Sequence, residues 1–187
     1  MAACAFQPPD RIPRFDNFWK FPDSWRERLG PPEDLTDVSI WYPIEGFFPS
    51  RARVLEESGD TVVEIDEWGR TIRRKQNAYF SEVLHPPLEG DVDPDKVLFD
   101  DPALELRYRR GRMTPEVDFG SAEDALDALA CEKTRHCVFG KTGGPFLRSS
   151  FARGEPRFLL DLAADPPPAR ALAPTLGDHL TQVGLEQ

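Results

Sequence analysis

The sharpest periodicity in the chain lies between residues 51 and 80, where β-branched residues recur at spacing two. The runs Arg53-Val-Leu-Glu-Glu, Thr61-Val-Val-Glu-Ile-Asp and Arg70-Thr-Ile-Arg-Arg-Lys are separated by Ser58-Gly59-Asp60 and by Trp68-Gly69. Alternation broken by glycine-bearing turns predicts an antiparallel meander. The same alternation puts Glu64 and Asp66 on one face, opposite Arg73 or Arg74. These carboxylates therefore read as structural charge pairs on a solvated face rather than as an acid and base pair.

The pattern changes on either side. Residues 1–50 are rich in aromatics (Phe15, Phe18, Trp19, Phe21, Trp25, Trp41, Tyr42, Phe47 and Phe48), expected to cover a core. A short helix is predicted from Asp23 to Leu29, between an Asp23 N-cap and Gly30, and a strand over Val38 to Tyr42. Residues 81–120 read as connecting loops, with a short helix near Asp101 to Arg109. The charge run from Arg107 to Arg112 reads as a solvated stretch, with a face toward an anionic ligand as the alternative.

From Ser121 onward the spacing turns helical. Ser121-Ala-Glu-Asp resembles a capping box, and Leu126, Leu129 and Ala130 follow at intervals of three and four. A short strand, His136 to Phe139, then runs into a glycine loop closed by Pro145. A helix over Glu155 to Ala164 is expected to bury Phe158, Leu159 and Leu162. Another starts near Pro167 and is interrupted or kinked at Pro174. Helix, strand, loop, helix is α/β grammar.

Composition narrows the function classes. With 187 residues, 40% hydrophobic and 30% charged, the chain can build one ordinary core. A net charge of -10 argues against nucleic acid and against anionic membrane surfaces, which demand clustered cations. No apolar run reaches the roughly 20 residues of a membrane span. The N-terminus has neither the basic start nor the apolar core of a signal peptide. Three scattered cysteines suit reduced thiols in a cytoplasm. The 19 prolines sit largely at segment borders and read as punctuation.

Candidate chemistry centres on Val138-Phe-Gly-Lys-Thr-Gly-Gly-Pro-Phe146. Gly140-Lys141-Thr142 looks like the tail of a phosphate-binding loop, yet Arg135 stands where that loop needs its first glycine. Lys141, Thr142 and Arg148 remain candidates to hold a carboxylate or phosphate beside exposed backbone N–H groups. A small anion-binding enzyme working through Lys141 and Arg148 is one reading; solvent-facing cations is the other. Cys131, His136 and Cys137 lack the paired spacing of a zinc site, so no metal is assigned.

Phe139-Gly-Lys-Thr-Gly-Gly-Pro-Phe, Phe151-Ala-Arg-Gly-Glu and Phe158-Leu-Leu-Asp-Leu-Ala-Ala-Asp-Pro together resemble the uroporphyrinogen decarboxylase superfamily. Gly59 to Arg70, with Asp66-Glu-Trp-Gly, is similar to a hairpin of its methyltransferase-like branch. The resemblance spans most of residues 11–187 and implies a partial (β/α)8 TIM barrel behind an N-terminal meander, with residues 121–187 forming the first βα units. It further implies a truncated N-terminal portion, inactive alone, whose complete form would be a decarboxylating lyase or a cobalamin-linked methyltransferase. A corrinoid or zinc would belong only to the complete chain. A dimer, or a partner chain acting as a binding module's complement, would complete the barrel. The implied ligand is small and anionic or tetrapyrrole-like, held by Lys141, Thr142, Gly143, Gly144, Phe146, Arg148 and Phe151. Two positions depart from the family: Phe151 stands where relatives carry a tyrosine, and Lys141 where they carry a phenylalanine.

Overall fold

The computed structural model describes all residues except 1–6, 9, 16–26, 29, 31–35, 77, 79, 91–92, 110–116, 165–166 and 187. The chain divides into two compact units, one of residues 1–43 and 108–141, the other of residues 44–107 and 142–187. Most of the helix expected over Asp23 to Leu29 lies outside the described residues; Glu27 and Arg28 are helical.

The first unit pairs strand β1 (Val38–Trp41) with strand β6 (Cys137–Gly140) in parallel, Val38 opposite Cys137 and Trp41 opposite Gly140. Helix α1 (Ala122–Glu132) precedes β6. Its start is the predicted one: Ser121 Oγ accepts from the Asp124 amide at 3.1 Å and donates to the Asp124 carboxylate at 2.7 Å. This satisfies one of the four orphan amides of a helix N-terminus. The buried side of α1 carries Ala125, whereas Leu126 is exposed. Trp41 is buried, stacks on Phe119 with centroids 5.8 Å apart, and donates its indole N–H to Ser39 Oγ at 3.1 Å. Arg11 pairs with Asp37 through both guanidinium ends, which holds the Asp37 carboxyl well below the usual carboxylate range.

The second unit opens with the meander. Strands β2 (Arg53–Ser58), β3 (Thr61–Ile65), β4 (Thr71–Lys75) and β5 (Glu82–His85) pair antiparallel in the order β2-β3-β4-β5. The fourth strand falls in the segment expected to be loop. Four residues ended by Pro86 are too short to show an alternation. Arg74 meets Glu64 through two bonds of 2.8 and 3.1 Å, as the alternation predicts. Asp66 does something else. Its carboxylate accepts from the amides of Trp68 and Arg70 at 3.0 and 2.9 Å and from Arg70 Nε at 2.8 Å, so it ties the hairpin turn.

Three helices follow: α2 (Pro145–Arg153), α3 (Glu155–Ala164) and α4 (Pro167–Leu185), the last continuing through Pro174. Of these, α2 and α4 close over Phe47, Phe48, Trp68 and Leu88 with Ala152, Leu172, Leu176 and Leu180. The region of Asp101 to Arg109 contributes one three-residue 3-10 turn, Glu105–Arg107.

The expected partial TIM barrel is not what forms. A (β/α)8 barrel is a closed ring of parallel strands. Among the described residues the sole parallel pairing is β1 with β6, and the larger sheet is antiparallel. Among the described residues, 121–187 supply one strand, and the chain beyond β6 forms three successive helices. The result is a mixed α/β structure with two small sheets. The strand–turn–helix grammar was local and correct, while barrel closure depends on long-range pairing that local pattern does not encode.

Arg107, expected in a solvated charge run, is fully buried. Its guanidinium donates to four backbone carbonyls: Asp101 at 2.8 Å, Ile44 at 2.8 Å, Gly46 at 2.6 Å and Asp100 at 3.0 Å. The buried His179 ring lies 3.5 Å from Arg107 and 4.9 Å, centroid to centroid, from Phe99. Burial, and then the Arg107 charge, push the His179 pKa down to about 4, so the ring is neutral at neutral pH. Replacing Arg107 by Met strands these carbonyls, each worth about 1–3 kcal/mol when buried without a donor. Arg107→Met is therefore expected to lower stability by at least ~3 kcal/mol in urea denaturation, with Arg107→Lys recovering only part. An unchanged denaturation midpoint for Arg107→Met would contradict this role.

Candidate functional site

The glycine loop was the sequence's leading site, and the structure distributes its residues differently. Lys141 belongs to the first unit, where its amide donates to the Trp41 carbonyl at 2.8 Å and extends the β1–β6 ladder. Thr142, Gly143, Gly144, Phe146, Arg148 and Phe151 belong to the second. Within it, Thr142 packs its methyl group against Gly184 of α4.

Arg148 is the organising group of the loop. Its guanidinium bonds the buried Glu45 carboxylate and lies 4.5 Å from the Trp68 ring centroid and 5.4 Å from that of Phe151. An arginine sandwiched between a carboxylate and aromatic faces is neutralised and held. Gly143 makes room for it, since a Cβ there would run into Arg148 Nε, Cζ and Nη2. The glycine that looked like part of a phosphate cradle thus has a packing reason.

The other side of α2 faces open space. A cleft of about 760 Å³ runs between the β4–β5 end of the meander and the elbow joining α2 to α3. Gly154 makes that elbow, with φ of 74°, and a Cβ there would meet Pro86 at 3.1 Å. Phe146, Phe151 and Phe158 supply aromatic walls, Ser150 and Ser81 hydroxyls, Arg70, Arg153 and Arg157 cations, and Glu89 and Glu155 carboxylates. Phe146 packs edge-on to Phe158 at 5.1 Å, and Phe151 does the same to Trp68 at 5.4 Å. Arg70 lies 4.2 Å over the Phe151 ring while bound to Asp66.

A second buried arginine shapes the floor. Arg153 donates to the carbonyls of Leu88 and Gly90 at 2.6 and 2.8 Å and to Asp161 at 2.9 Å. Asp161 also accepts from Arg157 at 2.9 Å. This explains a departure from the helical reading. On α3 the buried residues are Phe158 and Asp161, whereas Leu159, Leu160 and Leu162 are 51%, 64% and 53% exposed. Apolar spacing alone could not anticipate that a buried arginine would draw Asp161 inward.

Of the loop residues singled out in the sequence, Phe146 and Phe151 line this cleft, while Arg148 and Gly143 pack behind it. Missed by sequence reasoning were Arg70, Ser150, Arg157 and Phe158 as lining groups. All four fall within or immediately beside the stretches Gly59 to Arg70, Phe151 to Glu155 and Phe158 to Pro166. Among the described residues no group of three His, Cys, Asp or Glu is placed to hold a metal ion, and no helix is long and apolar enough to cross a membrane. Comparison with known proteins finds no matching family model, no matching curated protein and no matching solved structure.

Gly143→Ala forces a methyl group into the Arg148 guanidinium and is expected to cost about 1–3 kcal/mol, as overpacking does. Gly177, inside α4 with no neighbour within 4 Å of an added Cβ outside its own helix, is the control. Gly177→Ala is expected to stabilise by about 0.5–1 kcal/mol through helix propensity. Equal effects of the two changes in thermal denaturation would contradict the packing role.

Proposed function

We propose that the chain is a relative of the N-terminal part of the uroporphyrinogen decarboxylase superfamily, nearest its methyltransferase-like branch. In this reading it binds a ligand but does not turn one over alone. The observation that carries the proposal is convergence. Arg70 from the Asp66-to-Arg70 hairpin, Phe146 from the glycine turn, Phe151, Arg153, Gly154 and Glu155 from the Phe-Ala-Arg-Gly-Glu stretch, and Phe158 from the next all line one cleft.

The cleft suits a flat, largely apolar ligand bearing carboxylates, such as a tetrapyrrole. Phe146, Phe151 and Phe158 offer ring faces and edges. Arg157 keeps its side chain 45% exposed while bonded to Asp161 through Nε, so a ligand carboxylate would share its guanidinium with Asp161. Neither Arg148, committed to Glu45, nor Arg153, committed to Asp161, is required for ligand contact. Reaction chemistry in this reading needs further groups from a partner chain. Leu160 and Leu162, 64% and 53% exposed on α3, offer apolar surface to such a partner.

Absorbance titration of the purified chain with uroporphyrin tests the reading, with cobalamin as the second probe. Saturable binding is expected for at least one, weakened about tenfold by Phe146→Asp, which replaces an exposed wall of the cleft. Decarboxylation and methyl transfer by the chain alone are expected at background. Absence of saturable binding by either probe would sink the ligand reading, and turnover by the isolated chain would sink the partner requirement.

A further inference from the structure

The edge of the meander carries a pattern that the ligand reading does not use. Strand β2 is the first strand of the sheet and pairs only with β3 among the described residues. All six of its residues are exposed, with Val54 at 50% and Leu55 at 48%. A sheet edge presents unpaired N–H and C=O groups, and natural edges are usually blunted by lysine, proline, inward charge or a bulge. Arg53 to Ser58 contains neither lysine nor proline.

It does contain a bulge, and the bulge rearranges the charges. Arg53 pairs with Ile65, Val54 with Glu64 and Glu56 with Val63, leaving Leu55 without a partner in β3. Residues three apart on a regular strand point to opposite faces. The extra residue instead puts Arg53 and Glu56 on the same face, that of Ile65 and Val63. Arg53-Val54-Leu55-Glu56 then reads the same against an inverted copy of itself. Arg53 of one copy meets Glu56 of the other, at both ends, and Val54 meets Leu55 twice in the middle. Such a patch, self-complementary about a twofold axis, is what an isologous interface requires.

We infer that β2 is a homodimerisation edge, joining two copies of this chain antiparallel into one continuous sheet across the strand. Backbone hydrogen bonds supply the attachment, the central Val54 and Leu55 pairs exclude water, and the Arg53–Glu56 pairs set the register. Opposite charges placed directly across strands are favourable, and like charges there are unfavourable. The contact involves one short strand from each copy, so it is smaller than a standard stable interface and the dimer is weak and concentration-dependent.

Sedimentation equilibrium over a concentration series tests this on the full chain. The weight-average mass of the wild type is expected to rise with concentration from 21.2 kDa toward twice that value. Arg53→Glu and Glu56→Arg, each setting like charges opposite one another, are expected to keep the mass at the monomer value. Both side chains are exposed, and unchanged circular dichroism confirms that each variant folds. The double variant Arg53→Glu/Glu56→Arg restores opposite pairing and is expected to restore association. A wild type that stays monomeric at every concentration would overturn the inference. So would single variants that associate as the wild type does, or a double variant that remains monomeric when the wild type does not.

Discussion

Arg107 is the interaction on which the second unit depends. Four loop carbonyls, from residues 44, 46, 100 and 101, converge on one guanidinium that no water reaches. A chain with 19 prolines spends much of its length in irregular backbone, where carbonyls cannot be satisfied by a ladder or a helix. A planar cation with five donors is one of the few side chains able to serve several such carbonyls at once. By fixing residues 44–46 and 100–101 together, Arg107 sets Phe47 into the core beside Trp68 and Phe99, at 5.5 and 4.9 Å.

The same device recurs. Arg153 collects the Leu88 and Gly90 carbonyls and so fastens the segment after β5 to the end of α2. Arg148 clamps Glu45, and Arg70 closes the Asp66 hairpin. Each of these arginines joins irregular backbone or a turn to an aromatic or helical neighbour. The cleft is the space left between these fastened parts. Its walls owe their positions to Arg70 and Arg153, and the Gly154 elbow turns α3 away to open it.

Much of this was legible in the residues. The three runs from Arg53 to Lys75, the Ser121 cap, the strand before the glycine loop and the helix over Glu155 to Ala164 all form where the pattern put them. What was not legible shares a physical cause. Arg107 looked solvated because a charge run carries no sign of the carbonyls that surround it, and carbonyls are present in every sequence. Leu159 and Leu162 looked buried, yet Arg153 holds Asp161 inward and they stay exposed. Lys141 and Arg148 looked like a pair, yet they belong to different units. The TIM barrel failed for a related reason: short motifs specify a strand, a turn and a helix, but not how many strands eventually pair. Residues of the motif stretches meet at the cleft rather than at the loop where the reading of lysine and glycine began.

That convergence is tested most directly by amide hydrogen exchange with and without bound uroporphyrin. The account predicts slowed exchange together in residues 82–90 and 146–159, with β1 and β6 unchanged. Protection confined to residues 141–144, or none in either cleft segment despite saturating ligand, would contradict it.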